Sequence, residues 1–159
     1  MSRRKHQPLA VLASILVAAA LTIVPLGETL AWFRPYWMAL VIIYWGIESP
    51  REGGLATAFF AGLLLDVLTG TLLGQHALSL VIVAYIVARF RLRIRFFPLW
   101  QQALVVLAIL LNDRIIEIWI LGLSGRPVPG WQALWPPLTA MLAWPWVFLL
   151  LDEARRRTR

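Results

Sequence analysis

Long apolar runs alternate along the chain with short clusters of charge, glycine and proline. The first uncharged run covers residues 9–26 and follows Arg3, Arg4 and Lys5. As a helix it would reach about 27 Å, close to the ~30 Å hydrocarbon layer of a bilayer. A secretory signal competes, because Ala18, Ala19 and Ala20 imitate a cleavage site, but the run continues well past them. A second, shorter run at 35–47 must be tilted or lengthened by a snorkelling Arg34. Its rings Trp32, Tyr36, Trp37, Tyr44 and Trp45 are expected near the interface. Residues 54–88 carry a single charge, Asp66, so they hold two short helices, 54–68 and 77–88, only if the turn between them is tight. Thr69-Gly70 and Gly74-Gln75-His76 supply that turn. Arg89, Arg91, Arg93 and Arg95 are expected to form the next loop. A fifth helix is expected over 98–123, with Pro98 at its first position, and a sixth over 131–151, with Pro136, Pro137 and Pro145 inside it. The pattern predicts an all-α polytopic membrane protein, one domain of about six transmembrane helices.

Composition supports lipid as the solvent. Hydrophobic residues make up 60% of the 159 and charged residues 14%, whereas soluble domains sit near ~45–50% and ~25%. With no cysteine, disulfides, thiol catalysis and thiolate-bound metals are excluded. His6 and His76 are too far apart in sequence to make more than a weak metal case, and the reading calls for no cofactor and no metal.

The net charge of +7 is distributed rather than general. With the N-terminus inside, Arg3, Arg4, Lys5, Arg51, Arg89, Arg91, Arg93, Arg95, Arg155, Arg156, Arg157 and Arg159 all fall on the cytoplasmic side, and only Arg34 and Arg126 face out. This asymmetry predicts an even number of crossings with both ends cytoplasmic. The run Arg89–Arg95 is read as a topology determinant resting on anionic lipid, with a cytoplasmic protein partner as the alternative. Nucleic acid is not expected.

Asp66, Asp113, Arg114 and Glu117 fall inside predicted spans, where a charge at mid-bilayer costs at least ~2.5–3.5 kcal/mol. Glu117 is three residues from Arg114 and four from Asp113, so the three share neighbouring faces of one helix. At about 1.5 Å per residue, Asp66, Asp113 and Glu117 lie roughly 20, 22 and 28 Å from the inner ends of their helices. An outward polar cluster between the third and fifth spans is expected, with Arg34 a possible counter-charge. It would fix helix packing, face a partner, or hold a ligand or proton. Gly53, Gly54, Gly62 and Gly70 are expected on one face of the third span, allowing close helix approach and permitting a homodimer. Most of the nine tryptophans are read as an interfacial belt. No nucleophile elbow, zinc-protease motif, phosphate loop or dinucleotide fingerprint occurs, so an enzyme is not expected.

The stretch Gly62-Leu63-Leu64-Leu65-Asp66-Val67-Leu68-Thr69-Gly70-Thr71-Leu72-Leu73-Gly74-Gln75-His76-Ala77-Leu78 resembles the bacterial MreD family of rod shape-determining proteins. Supporting stretches are Arg34-Pro35-Tyr36-Trp37-Met38-Ala39-Leu40-Val41-Ile42-Ile43-Tyr44-Trp45, Phe96-Phe97-Pro98-Leu99-Trp100-Gln101-Gln102-Ala103 and Trp144-Pro145-Trp146. The resemblance implies a non-enzymatic inner-membrane component of the elongasome, supporting lateral peptidoglycan synthesis and rod shape. It implies a partner, MreC, largely periplasmic with one membrane helix. It also implies indirect links to the actin-like MreB, a SEDS-type glycosyltransferase and a class B penicillin-binding protein. The fold it implies is similar to the substrate-binding subunits of energy-coupling-factor vitamin transporters, which raises the alternative of a small-molecule-binding transporter subunit. No catalytic residues carry over.

Overall fold

The computed structural model describes residues 7–157. Arg3, Arg4, Lys5, His6 and Arg159, which entered the charge and metal arguments, lie outside the described residues. Helices run over Gln7–Ile23 (α1), Glu28–Ala31 (α2), Trp37–Glu48 (α3), Leu55–Thr69 (α4), Gln75–Phe96 (α5), Leu99–Leu123 (α6) and Trp135–Arg157 (α7). A single 3₁₀ turn, Trp131–Leu134, leads into α7. Six of these helices are long, and no strand occurs among the described residues.

The centre of the bundle is α3. Its sequence is apolar all round, and a helix with no polar face has to be covered on every side. Residues Met38 to Ile47 are buried without interruption, and α1, α4, α5, α6 and α7 all pack against it. This corrects the expectation for its rings. Tyr44 and Trp45 are 0% exposed and belong to the core instead of an interface. Their polar atoms are satisfied there, as buried Tyr and Trp require. Trp45 Nε1 donates to Ser14 Oγ at 2.9 Å and Tyr44 OH donates to Asp152 Oδ1 at 3.4 Å. Trp144 is likewise fully buried, its indole N–H 3.4 Å from Gln102 Oε1.

Several element boundaries differ from expectation for identifiable reasons. The first helix stops at Ile23 and not at residue 26, because Pro25 biases the residue before it away from helix. Pro98 is the N-cap of α6, extended at ψ 156°, and not its first helical residue. The largest correction concerns Arg89, Arg91, Arg93 and Arg95, expected in a loop after residue 88, which continue α5 to Phe96. Arginine and leucine are good helix formers, and no glycine or proline interrupts the run before Pro98. Tertiary partners hold this extension. Arg91 Nε donates to the Ile47 carbonyl at 2.8 Å, closing the end of α3, and Arg95 Nε lies 3.8 Å from Glu48 Oε1.

By length and composition, the segment Trp131–Arg157 suffices to cross a membrane, while Pro8–Ile23, Trp37–Glu48 and Leu55–Thr69 are shorter apolar helices. The outer face of the bundle is nonetheless apolar, with Leu16, Phe60, Tyr85, Leu104, Trp119, Leu142, Trp146 and Leu150 among its exposed side chains.

Two polar layers bracket the core. At one, Tyr36, just before α3, donates to Glu117 of α6 at 3.4 Å. At the other, Glu48, the last residue of α3, pairs with Arg155 of α7 at 2.5 Å. Arg155 also binds Asp152 at 2.6 Å, and Asp152 in turn takes Arg156 at 2.8 Å. The sequence reading counted Arg155 among the cytoplasmic basic residues and gave Glu48 no role. Both side chains are instead nearly buried, at 7% and 11% exposure. Removing one partner of a buried pair strands the other, which costs about 3–5 kcal/mol. Glu48→Gln and Arg155→Gln should each lower the thermal midpoint of the detergent-purified protein. The double variant should fall less than the sum of the two, and simple additivity would show the pair to be uncoupled.

Candidate functional site

The first polar layer assembles around the α4–α5 turn. Helix α4 ends on Gly70 in the left-handed conformation (φ 65°), and α5 begins after Gly74, also at positive φ (96°). A side chain at either position would strain the backbone. Between them the chain reverses tightly enough for the carboxylate of Asp66 to reach over the start of α5. It accepts hydrogen bonds from Thr71 Oγ1 at 2.9 Å, the Gly74 N–H at 2.8 Å, the His76 N–H at 2.9 Å and His76 Nδ1 at 2.8 Å. An ionised carboxylate offers about four acceptor positions, so Asp66 is fully used by its own chain. It caps α5 from the preceding helix, where a negative charge also suits the helix dipole.

Close approach of the two helices depends on Gly62. A Cβ there would lie 2.3 Å from Ala77 Cα and 2.5 Å from Ala77 N. Gly53 plays the same part against the Trp45 backbone, at 2.4 Å. Gly70, expected on this packing face, meets nothing within 4 Å and is instead needed for its conformation. Of the glycines singled out as a face, Gly62 and Gly53 serve closest packing.

His76 extends the network from α5 to α6. Its Nδ1 side is taken by Asp66 and lies 3.1 Å from Thr71 Oγ1, while Nε2 sits 3.8 Å from Glu117 Oε1. Glu117 Oε2 accepts from Arg114 Nη1 at 2.6 Å and from Tyr36 OH at 3.4 Å. Asp113 is buried and accepts from Ser79 Oγ on α5. Asp66, Asp113, Arg114 and Glu117 therefore do share one layer, but helix α5 lies between the third and fifth expected spans and joins them through His76 and Ser79. Arg34 lies in the same layer without forming an ion pair to it among the described residues. Its guanidinium donates to the carbonyls of Thr22 and Val24 at the end of α1. Tyr36, Ser79 and the bridging role of His76 were missed. Of these, His76 had a readable signal, since it sits ten residues after Asp66 across a turn flanked by Gly70 and Gly74.

A cavity of about 250 Å³ opens beside this layer, lined by Arg34, Tyr36, His76, Asp113, Arg114 and Glu117 with Trp32, Trp37 and Leu65 among the apolar walls. The Nε atoms of Arg34 and Arg114, both residues of its lining, are buried and have no hydrogen-bond partner. No group of three or more His, Cys, Asp or Glu placed to hold a metal ion occurs among the described residues.

The architecture defines a class: an all-helical bundle with an apolar exterior and an internally paired charge layer. Within that class, the family model described as "rod shape-determining protein MreD" matches residues 2–154. The Rod shape-determining protein MreD of Haemophilus influenzae is 31% identical over 149 residues, covering 94% of this chain and 92% of that protein. The chain belongs to the MreD family of rod shape-determining proteins. No solved structure matches it, and the expected likeness to vitamin-transporter subunits receives no support.

Proposed function

We propose that this protein is a non-enzymatic, multi-pass component of the bacterial inner membrane that binds MreC and supports lateral wall synthesis in rod-shaped cells. The observation that carries this reading is the family match along nearly the whole chain. Membrane placement draws support from the apolar exterior and from Trp131–Arg157. In this placement the Glu48–Arg155 layer faces the cytoplasm, with both chain ends, and the Asp66–His76–Glu117 layer faces out.

The outer cavity is the better candidate for contact with MreC, through Arg34, Arg114 and Glu117. Asp66 is a structural residue, because its acceptors are already occupied. An apolar groove of about 540 Å³ between α1 and α7 meets this cavity at Trp37 and is lined by Ala10, Ala13, Ala18 and Ala154. Small residues of this kind let a membrane helix approach closely, which suits the single membrane helix of MreC. Links to MreB and to the wall synthases would then be indirect, through MreC. The family match favours this shape-determining role over a transporter subunit.

Depletion of the protein is expected to round rod-shaped cells, and MreC is expected to co-purify with it from detergent extracts. Arg34→Gln, which leaves the Arg114–Glu117 pair intact, should weaken that co-purification while leaving membrane yield near the native level. Rods that persist after full depletion would refute the role, and MreC capture unchanged by Arg34→Gln would move the contact elsewhere.

A further inference from the structure

The four arginines of α5 separate by helical position into two pairs. Arg91 and Arg95, four residues apart, reach the Ile47 carbonyl and Glu48 at the end of α3, Arg95 while staying 47% exposed. Arg89 and Arg93, also four residues apart, share a different, exposed face. One pair thus has partners at the end of α3, and the other is presented outward.

Arg93 stands at the edge of a groove of about 450 Å³ between α5 and α6. On α5 the wall follows one helical stripe, Ile86, Phe90 and Arg93, continued by Phe97 just past its end; on α6 it is Val105 and Ile109. Phe90 and Phe97 are 48% and 38% exposed. No acidic side chain among the described residues lines the groove, and the carboxylate of Glu48 is engaged by Arg155 and Arg95. An apolar slot is therefore topped by a guanidinium with no neighbouring negative charge to neutralise it.

We propose that this groove is a binding site for an anionic phospholipid of the cytoplasmic leaflet, with one acyl chain along the α5–α6 slot and the headgroup phosphate on Arg93 and Arg89. Charge complementarity selects this occupant. A zwitterionic lipid brings its own cation to the arginines, and a purely apolar helix leaves both guanidiniums unmatched. Basic pockets between helices on the cytoplasmic side recognise anionic headgroups by this same combination. The inference rests on the membrane placement proposed above.

Native mass spectrometry of the full-length chain in detergent tests it, with phosphatidylglycerol or phosphatidylcholine added as the probe. The native chain is expected to retain one phosphatidylglycerol with a preference of about tenfold over phosphatidylcholine. Arg89→Gln with Arg93→Gln should abolish the preference, and Arg89→Lys with Arg93→Lys should restore most of it. Ala108→Phe, which fills the slot, should reduce retention with both arginines in place. Arg51→Gln with Arg126→Gln removes the same charge elsewhere on the surface and should leave the preference intact. Equal retention of the two lipids by the native chain, or an equal loss in this charge-matched control, overturns the site. So does full displacement of the lipid by excess inorganic phosphate. Flotation with membranes reads the underlying placement separately: a chain that floats but shows no lipid preference defeats the site alone, and one that fails to float defeats the placement.

Discussion

Asp66→Leu is expected to be among the most damaging single substitutions in this protein. It deletes the acceptor of four hydrogen bonds at once and leaves the Gly74 and His76 N–H groups unmet at the start of α5. Stranding buried polar partners costs about 1–3 kcal/mol per group, and charged acceptors lie at the upper end. A total loss of about 3–5 kcal/mol follows, a large fraction of the stability of a domain this size. The expected readout is a sharp fall in membrane yield and in the thermal midpoint of the purified protein. Asp66→Asn keeps an acceptor and should lose less. His76→Ala should fall between native and Asp66→Leu, because it removes the imidazole contact but keeps both backbone donors. A native midpoint for Asp66→Leu would show that the α4–α5 turn does not depend on this capping.

The second large effect is expected at Gly62, where the sign of a general rule reverses. In an exposed helix, replacing glycine with alanine stabilises by about 1 kcal/mol. At Gly62 the new methyl would lie 2.3 Å from Ala77 Cα and 2.7 Å from the His76 carbonyl oxygen. Both are backbone atoms, so no side-chain rotation relieves the clash, and α4 and α5 must separate. Overpacking of this kind costs about 1–3 kcal/mol or more, and it would also pull Asp66 away from the turn it caps. Gly62→Ala should therefore destabilise by about 3 kcal/mol, whereas Gly122→Ala, with nothing within 4 Å, should be neutral or slightly stabilising. Paired thermal unfolding curves measure the contrast, and similar behaviour of the two variants would contradict the close packing.

These two positions also show what was legible in the sequence. Asp66, alone in a 35-residue uncharged stretch, announced itself by the penalty for burying a charge, and the flanking glycines marked the turn. The charge on its own did not reveal which donors meet it, since those come from a backbone reversal of eight to ten residues that periodicity does not encode. Arg89 to Arg95 misled because alternation of arginine with apolar residues imitates a loop or strand. The helix is set by tertiary anchors at Ile47 and Glu48, far away in sequence. Tyr44 and Trp45 misled for a related reason: an amphipathic ring at a helix end suits an interface, but α3 is enclosed, and Ser14 and Asp152 satisfy the rings inside the bundle. Glu48 and Arg155 were indistinguishable from ordinary surface charges until the fold brought them together.

The enclosure of α3 bears on how the protein is made. Twelve residues of helix extend about 18 Å, well short of the ~30 Å hydrocarbon layer, and the finished fold gives this segment no lipid to face. In the multi-pass placement proposed above it is therefore poorly suited to leave the translocation machinery as an independent stop, and its insertion should await the chain that follows. A nascent chain truncated before α5 would lack Arg91 and the helix packed along α3, and should leave this segment inserted in mixed orientations. Elongating the chain past Phe96 should resolve them into one.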